Sequence, residues 1–313
     1  MKLTIKDIAA RCGVGKSTVS RVLNQSPNVN PKTRERVQAV INELNFAPDR
    51  TARAMRGSAE KVIGIIVTRL NSSAESQTLS RILNELYAQN FTPLIVESQF
   101  KPERVVQELA LFQQRQVDGV ILFGFSELKE KHLKDWKKAM VTVARAYKPF
   151  SAVYYDDENA MKALLSHLYQ QGHRQIGYLG IVDSDETTGK KRTAAYLSFC
   201  EQYQLTPYLA KGELSIESGY QQISSLMSFP FSILVCATTG LAVGAAKYLQ
   251  ENQKNLPLAC IGQNPILQAF VPQLITLDFG YEQAGVTAVN LLLNQLENSE
   301  TEIVHHKIPF KLI

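Results

Sequence analysis

Four side chains near the start of the chain, Lys16, Ser17, Ser20 and Arg21, fall at helical spacing and would project from one side of a helix. All four can donate hydrogen bonds, to phosphate oxygens or to guanine O6 and N7 in a major groove. Arg69 and Arg145 make a second candidate group. Each follows an apolar run of strand length, and two guanidiniums at adjacent strand ends need a shared anion, for which arginine offers bidentate phosphate geometry. The alternative is that each pairs with a nearby carboxylate, Glu75 or Asp156 for example. Other apolar runs end in Gly124-Phe125, in Asp156-Asp157 and in Thr238-Thr239-Gly240. A further loop carries Asp185, Glu186, Thr187 and Thr188 and leads to Arg192. Strand ends of open parallel sheets are where ligands bind, and this polar set suits a hydroxylated one.

Catalysis lacks its residues. The five histidines, His132, His167, His173, His305 and His306, belong to no nucleophile, zinc or phosphate-loop motif. Gly15-Lys16-Ser17-Thr18 ends like a phosphate loop, but Ala10 stands where its first glycine belongs and no strand precedes it. Cys12, Cys200, Cys236 and Cys260 are far apart, outside any metal spacing, and read as small buried hydrophobes of a reducing compartment. Neither metal nor cofactor is expected. With no apolar run of membrane-spanning length and no secretory leader, the chain is expected to stay in the cytoplasm.

The elements that must position these groups follow from periodicity. At 313 residues, 45% hydrophobic and 20% charged, the chain is globular and long enough for two or three packed units. Its charge is lopsided: residues 1–60 hold eleven Lys or Arg against five Asp or Glu, while the remainder is nearly balanced. A basic head on a neutral body is the electrostatic footprint of a nucleic-acid-binding unit. In the head, Thr4 and Asp7 form a capping box before Ile5, Ile8, Ala9 and Cys12. Gly13 stops that helix, and a second, from about Lys16, buries Val19, Val22 and Leu23. A third starts at Asn30-Pro31 and buries Val37, Val40, Ile41 and Leu44. The first pair is a helix-turn-helix.

After this head (1–47), residues 48–58 carry Arg50, Arg53 and Arg56 with an Asp49 cap and a Gly57 stop, a helix too short to stand alone in water. The body (60–313) alternates strands at 62–67, 93–97, 119–123, 140–144, 152–155, 176–179, 233–236, 258–261 and 275–277 with helical stretches. That alternation predicts an α/β body of two parallel-sheet lobes, the second starting near residue 170, with a cleft between them. No heptads close the chain, so a dimer is expected.

The runs Leu3-Thr-Ile-Lys-Asp-Ile-Ala, Gly13-Val-Gly-Lys-Ser-Thr-Val-Ser-Arg-Val-Leu-Asn24 and Thr33-Arg-Glu-Arg-Val resemble the headpiece of the lactose-repressor family of bacterial transcription regulators. Val117-Asp-Gly-Val-Ile-Leu and Gly172-His-Arg-Gln-Ile-Gly-Tyr-Leu-Gly180 resemble its effector domain, a periplasmic-binding-protein type I fold. The resemblance implies that Lys16, Ser17 and Arg21 read bases and that Thr18 and Asn24 hold phosphates. It also implies that Thr4, Ala52 and Arg53 touch DNA, and that Met55 wedges into the central base step from a hinge helix. Gly15 departs from the family, where many members carry a capping serine. Ala54-Met-Arg-Gly57, Ile66-Val-Thr-Arg69, Glu97-Ser-Gln-Phe100, Leu122-Phe-Gly-Phe125, Tyr155-Asp-Asp-Glu158 and Thr187-Thr-Gly-Lys190 are similar to the trehalose-responsive branch of that family. This implies a homodimeric repressor on a pseudo-palindromic operator, released by trehalose 6-phosphate. The implied ligand contacts are Arg69, Gly124, Arg145, Asp185, Glu186, Thr187, Thr188, Arg192, Gly240 and Gln283, with Thr239 and Gln283 departing from the usual acidic residues. A repressor answering another sugar, or a cytoplasmic sugar-binding protein, are the alternatives; the second would not need the basic head.

Overall fold

The computed structural model describes residues 4–23, 26–44, 61–298 and 301–312. The chain divides into two units, residues 1–60 and 61–313.

The first unit holds α1 (Ile5–Cys12), α2 (Lys16–Leu23) and α3 (Pro31–Glu43). Thr4 and Asp7 make the reciprocal capping box: the Thr4 amide donates to Asp7 Oδ2 at 2.8 Å and the Asp7 amide to Thr4 Oγ1 at 3.4 Å. Gly13 closes α1 in the left-handed region, and the Asn30 side chain with Pro31 opens α3. Ile8, Ala9, Cys12, Val19, Val22, Val37 and Ile41 form the buried core, the stripes read from the sequence. Asn24, Ala52, Arg53 and Met55, with the whole hinge segment, lie outside the described residues.

The second unit is two open sheets. In chain order its elements are β1 (Lys61–Val67), α4 (Ser73–Ala88), β2 (Phe91–Glu97), α5 (Pro102–Gln114), β3 (Gly119–Phe123), α6 (Glu130–Leu133), β4 (Ala139–Val143), β5 (Ser151–Tyr155), α7 (Asp157–Gln170) and β6 (Ile176–Ile181). There follow α8 (Arg192–Gln202), β7 (Tyr208–Gly212), α9 (Ile216–Leu226), β8 (Ile233–Cys236), α10 (Thr239–Glu251), β9 (Leu258–Ile261), α11 (Pro265–Phe270), β10 (Ile275–Asp278), α12 (Tyr281–Glu297), β11 (His305–Ile308) and β12 (Lys311–Leu312). The first lobe has strand order β11-β5-β4-β3-β1-β2, the second β12-β10-β9-β8-β6-β7, parallel except where β12 runs against β10. Continuous Val/Ile/Leu runs such as Ile63–Val67 are buried because helices cover both faces. All four cysteines are buried and free.

The chain passes between lobes three times, after β5, after β10 and after β11, so the cleft is bounded by a three-segment crossover. Gly280, at φ 73°, sits in one of these passages, where a Cβ would lie 2.4 Å from the Ile308 side chain and 2.9 Å from the Pro309 carbonyl.

Two expectations are corrected. β3 lies between β1 and β4, so Arg69 and Arg145 do not follow adjacent strands. Their strand ends are separated by two spacings, roughly 10 Å. The strands read from the sequence stop at 277, yet His305 and His306 open β11, an edge strand on β5. Backbone pairing, not an apolar run, makes it a strand, and its first three residues are exposed.

Candidate functional site

In the first unit, Lys16, Ser17 and Arg21 are exposed on α2, while Thr18 and Ser20 are half-buried beside its packed stripe. Gly15 starts α2 through its carbonyl, which accepts from the Thr18 and Val19 amides at 2.9 and 3.2 Å. A side chain there would meet only Ser17 Oγ, at 3.6 Å. A shallow polar groove runs from Thr18 and Arg21 to Asn28, Asn30 and Thr33. Asn28 was not singled out from the sequence, since the loop before α3 carries no periodicity. Arg21→Ala is expected to cost about 1–3 kcal/mol at particular bases of an operator selected from random DNA. Gel shifts over single-base operator variants test this, and a loss that is uniform over all variants would reassign Arg21 to phosphate.

In the second unit a cavity of about 370 Å³ opens between the lobes at the carboxyl ends of the strands. Arg69, Glu75, Phe100, Gly124 and Tyr155 line it from the first lobe, and Asp157, Asp185, Thr187, Thr188, Arg192 and Gly240 from the second. Arg69 reaches across the cleft, its Nη1 donating to the Leu214 carbonyl, and its guanidinium stands 5.7 Å from the Phe100 ring centre. Its Nε is buried without a hydrogen-bond partner. Burial pulls the Arg69 pKa below its ordinary value, opposed by the charges of Glu75 and Asp185. Glu75 does not form the simple ion pair with Arg69 that was the alternative. Its oxygens accept from the Thr68 amide at 2.8 Å, from the Thr68 hydroxyl and from the Arg69 amide at 3.5 Å, and burial pushes its carboxyl pKa up.

Asp185 organises the second lobe's rim. Its Oδ1 accepts from the amides of Thr187, Thr188 and Gly189 at 3.1, 2.7 and 3.2 Å, and from both threonine hydroxyls at 3.2 and 2.8 Å. It thereby caps a turn of π-helix, Glu186–Lys191, a form that concentrates at functional sites. Gly189 allows this tight turn: a Cβ there would lie 2.2 Å from the Val182 carbonyl oxygen. Arg192 is almost wholly buried. Its Nε and Nη2 donate to Asp157 Oδ1 at 2.8 and 2.7 Å, its Nη1 to the Ala237 carbonyl, and Phe279 lies 4.8 Å away. Burial is the largest influence and would lower the Arg192 pKa, yet Asp157 together with Tyr281 and Tyr178 turns the net movement upward. An aromatic wall completes the site, with Tyr155 stacked on Phe279 at 5.0 Å and edge-on to Tyr281 at 5.4 Å.

Three residues of the sequence-derived ligand set stand off this lining. Gln283 is exposed and donates to Thr287 Oγ1; Tyr281, two residues earlier on α12, faces the cavity, and two residues turn a helix by about 200°. Arg145 follows Ala144, which lines the cavity at φ 70°; its Cβ packs against Gly124, and its Nη1 is buried without a hydrogen-bond partner. Glu186 instead spans the cleft by its amide, which donates to Ser126 Oγ at 2.8 Å. Tyr155, Phe279 and Tyr281 were not named as ligand contacts; the strand-end rule would have found them, since each stands at or just beyond the end of β5 or β10. Among the described residues no group of three or more His, Cys, Asp or Glu could hold a metal ion, and no helix is long and apolar enough to cross a membrane.

A polar, aromatic-walled cleft between two parallel-sheet lobes, on a chain whose basic first unit is a helix-turn-helix, defines a ligand-responsive DNA-binding regulator. Residues 4–49 match the bacterial regulatory proteins of the lacI family, and residues 165–313 a periplasmic binding protein-like domain. The chain is 47% identical over 296 residues to the HTH-type transcriptional regulator TreR of Escherichia coli (strain K12), across 94% of each chain. It is 46% identical, over the same shares, to that of Salmonella typhimurium (strain LT2). The structure of the trehalose repressor from Escherichia coli matches with a TM-score of 0.79 and 41% identity, over 81% of this chain and 100% of that one. The lac repressor dimer bound to operator, at 22% identity and a TM-score of 0.78, shares the fold over 100% of this chain. The protein belongs to the lacI family of transcriptional repressors.

Proposed function

We propose that the protein represses a sugar-utilisation operon, that of trehalose, and leaves its pseudo-palindromic operator when trehalose 6-phosphate enters the cleft. The observation that carries the phosphate is the buried, unpartnered Nε of Arg69, a charged donor aimed into a cavity otherwise furnished for a sugar. The Tyr155 and Phe100 rings line the cavity with aromatic surface for pyranose rings, while Asp185, Thr188 and Arg192 supply hydrogen-bonding groups. The names of the relatives supply the disaccharide. The carboxylates are already engaged, Asp157 with Arg192 and Glu75 with Thr68, so the cleft is built to bind rather than to transfer protons. No cofactor enters this reading, and the site of action is the cytoplasm, where the operator is.

The partner for operator binding is a second copy of the chain. Gln77 Nε2 donates to the Gln263 carbonyl at 3.0 Å, which keeps α4 and the start of α11 on one side of the body. Leu70 before α4 and Tyr87 in its last turn have exposures of 54% and 58%, and Ile266 and Phe270 on α11 reach 72% and 83%. An apolar strip of this kind, from both lobes, suits a two-fold contact.

Calorimetry of the full chain with trehalose and with trehalose 6-phosphate tests the effector. The phosphorylated sugar is expected to bind at least about tenfold more tightly, the value of one charge-assisted hydrogen bond. Arg69→Ala should remove that difference, and Arg145→Ala part of it. Equal affinity for the two sugars in the wild type would return the effector to an unphosphorylated sugar.

A further inference from the structure

The body is nearly neutral, but residues 126–148 hold seven Lys or Arg against three Asp or Glu. Lys129, Lys131, Lys134, Lys137 and Lys138 in this stretch are all exposed, and among the described residues none of them is ion-paired with a carboxylate. Where an ammonium group here is held, a main-chain carbonyl holds it: Lys137 Nζ donates to Lys134 O and Lys138 Nζ to Val117 O, both at 2.6 Å. Elsewhere in the body, Lys162, Lys190, Lys211, Lys247 and Lys307 each have a carboxylate oxygen at 2.6–3.9 Å. The stretch is therefore a local excess of positive charge on a nearly neutral body.

The register of the sheet says where that charge stands. Ile63, Gly119 and Ala139 occupy one row across β1, β3 and β4. Lys138 directly precedes β4, and its Nζ reaches the Val117 carbonyl just before β3 begins, while Lys61 opens β1 in the same sheet. Lys134, Lys137 and Lys138 thus gather at the strand-start end of the first lobe, opposite the carboxyl ends where the effector cleft opens. Lys61 is the first residue of the body, directly following the DNA-binding unit in the chain.

We propose that this lysine edge lies along the DNA backbone outside the operator half-site and adds phosphate contacts that carry no sequence information. The chemistry fits that partner. Lysines are flexible point charges, suited to a row of phosphates and not to bidentate reading of a base. The proposal rests on the operator-binding reading of the family, and its test keeps the two apart.

The full-length wild type and the Lys134→Gln/Lys137→Gln/Lys138→Gln variant are titrated, over a series of salt concentrations, against two duplexes carrying the same selected operator. One duplex ends at the operator edges; the other extends it by about one helical turn on each side. On the extended duplex the variant is expected to bind about three- to tenfold more weakly at low salt, with a slope of log affinity against log salt shallower by about 2 to 3. On the short duplex the two proteins should match, and the variant's melting temperature and sugar-phosphate affinity should be those of the wild type. An unchanged slope on the extended duplex overturns the proposal. So does an equal loss on both duplexes, which would make the lysines a long-range field and not a contact. Failure of the wild type to bind either duplex would overturn the operator reading itself, and the proposal with it.

Discussion

Asp157→Ala is expected to destabilise the body by about 3–5 kcal/mol, the penalty for stranding one partner of a buried ion pair. Arg192 has 3% of its side chain exposed, and Asp157 is its carboxylate partner. Its remaining bond, to the Ala237 carbonyl, leaves the charge uncompensated once Asp157 is gone. The pair also has a topological task. Asp157 opens α7 immediately after the chain crosses from the first lobe, Arg192 opens α8 beside the π-helical rim, and Ala237 ends the β8 segment. One guanidinium therefore ties the crossover to the floor of the cleft. For a unit of this size the loss should lower the melting temperature by about 10 °C, read by circular dichroism. Replacing both partners, Asp157→Leu with Arg192→Met, should recover most of it, because no charge is then left buried. A single Asp157→Ala variant within about 1 kcal/mol of wild type would mean that water or another group solvates Arg192.

What the sequence yields and what it withholds divide along physical lines. The head is legible nearly residue by residue, because a three-helix unit with one small core must place its apolar residues at 3.6-residue spacing and cap its ends with local side chains such as Thr4, Asp7 and Asn30. Of the nine strands read from apolar runs, eight lie inside their sheets and are spelled out mainly in Val, Ile and Leu, while β2, an edge strand, is read because it keeps the run Leu94-Ile-Val. β7, β11 and β12, the other edge strands, escape. Tyr-Leu-Ala-Lys-Gly and His-His-Lys-Ile carry no run to detect, and their order comes from a neighbour's backbone. In the site, Arg69, Asp185, Thr188 and Arg192 were reachable from the strand-end rule, which needs only the alternation of elements. The misplacement of Arg145 beside Arg69 came from assuming a strand order that no local pattern fixes; in the sheet β3 stands between their strands. The π-helical turn was hidden too, since it is made by one carboxylate oxygen collecting five hydrogen bonds, a matter of geometry and not of composition.

Phe270→Glu is expected to convert the protein to a monomer at micromolar concentration and to lower operator affinity by about 10²–10⁴-fold, the contribution of joining two heads on one DNA. Phe270 is 83% exposed on α11, an exposure for a large apolar ring that is costly unless another surface covers it. In a two-fold contact the same patch appears on both partners, so one substitution removes two buried rings. At about 1.5–3 kcal/mol each, that is a loss of about 3–6 kcal/mol before the cost of burying two carboxylates is added. A single head presents too few phosphate and base contacts to hold an operator alone, so dimer loss reaches DNA binding without touching α2. The effector cleft is built within one chain, from both of its lobes, so calorimetry with the sugar phosphate should read the same in variant and wild type. That separation gives the experiment its force: sedimentation and gel shift should fail together while ligand binding survives. A Phe270→Glu protein that stays dimeric and binds operator as the wild type does would move the two-fold contact off α11. A variant that loses ligand binding as well would show that the substitution had unfolded the second lobe.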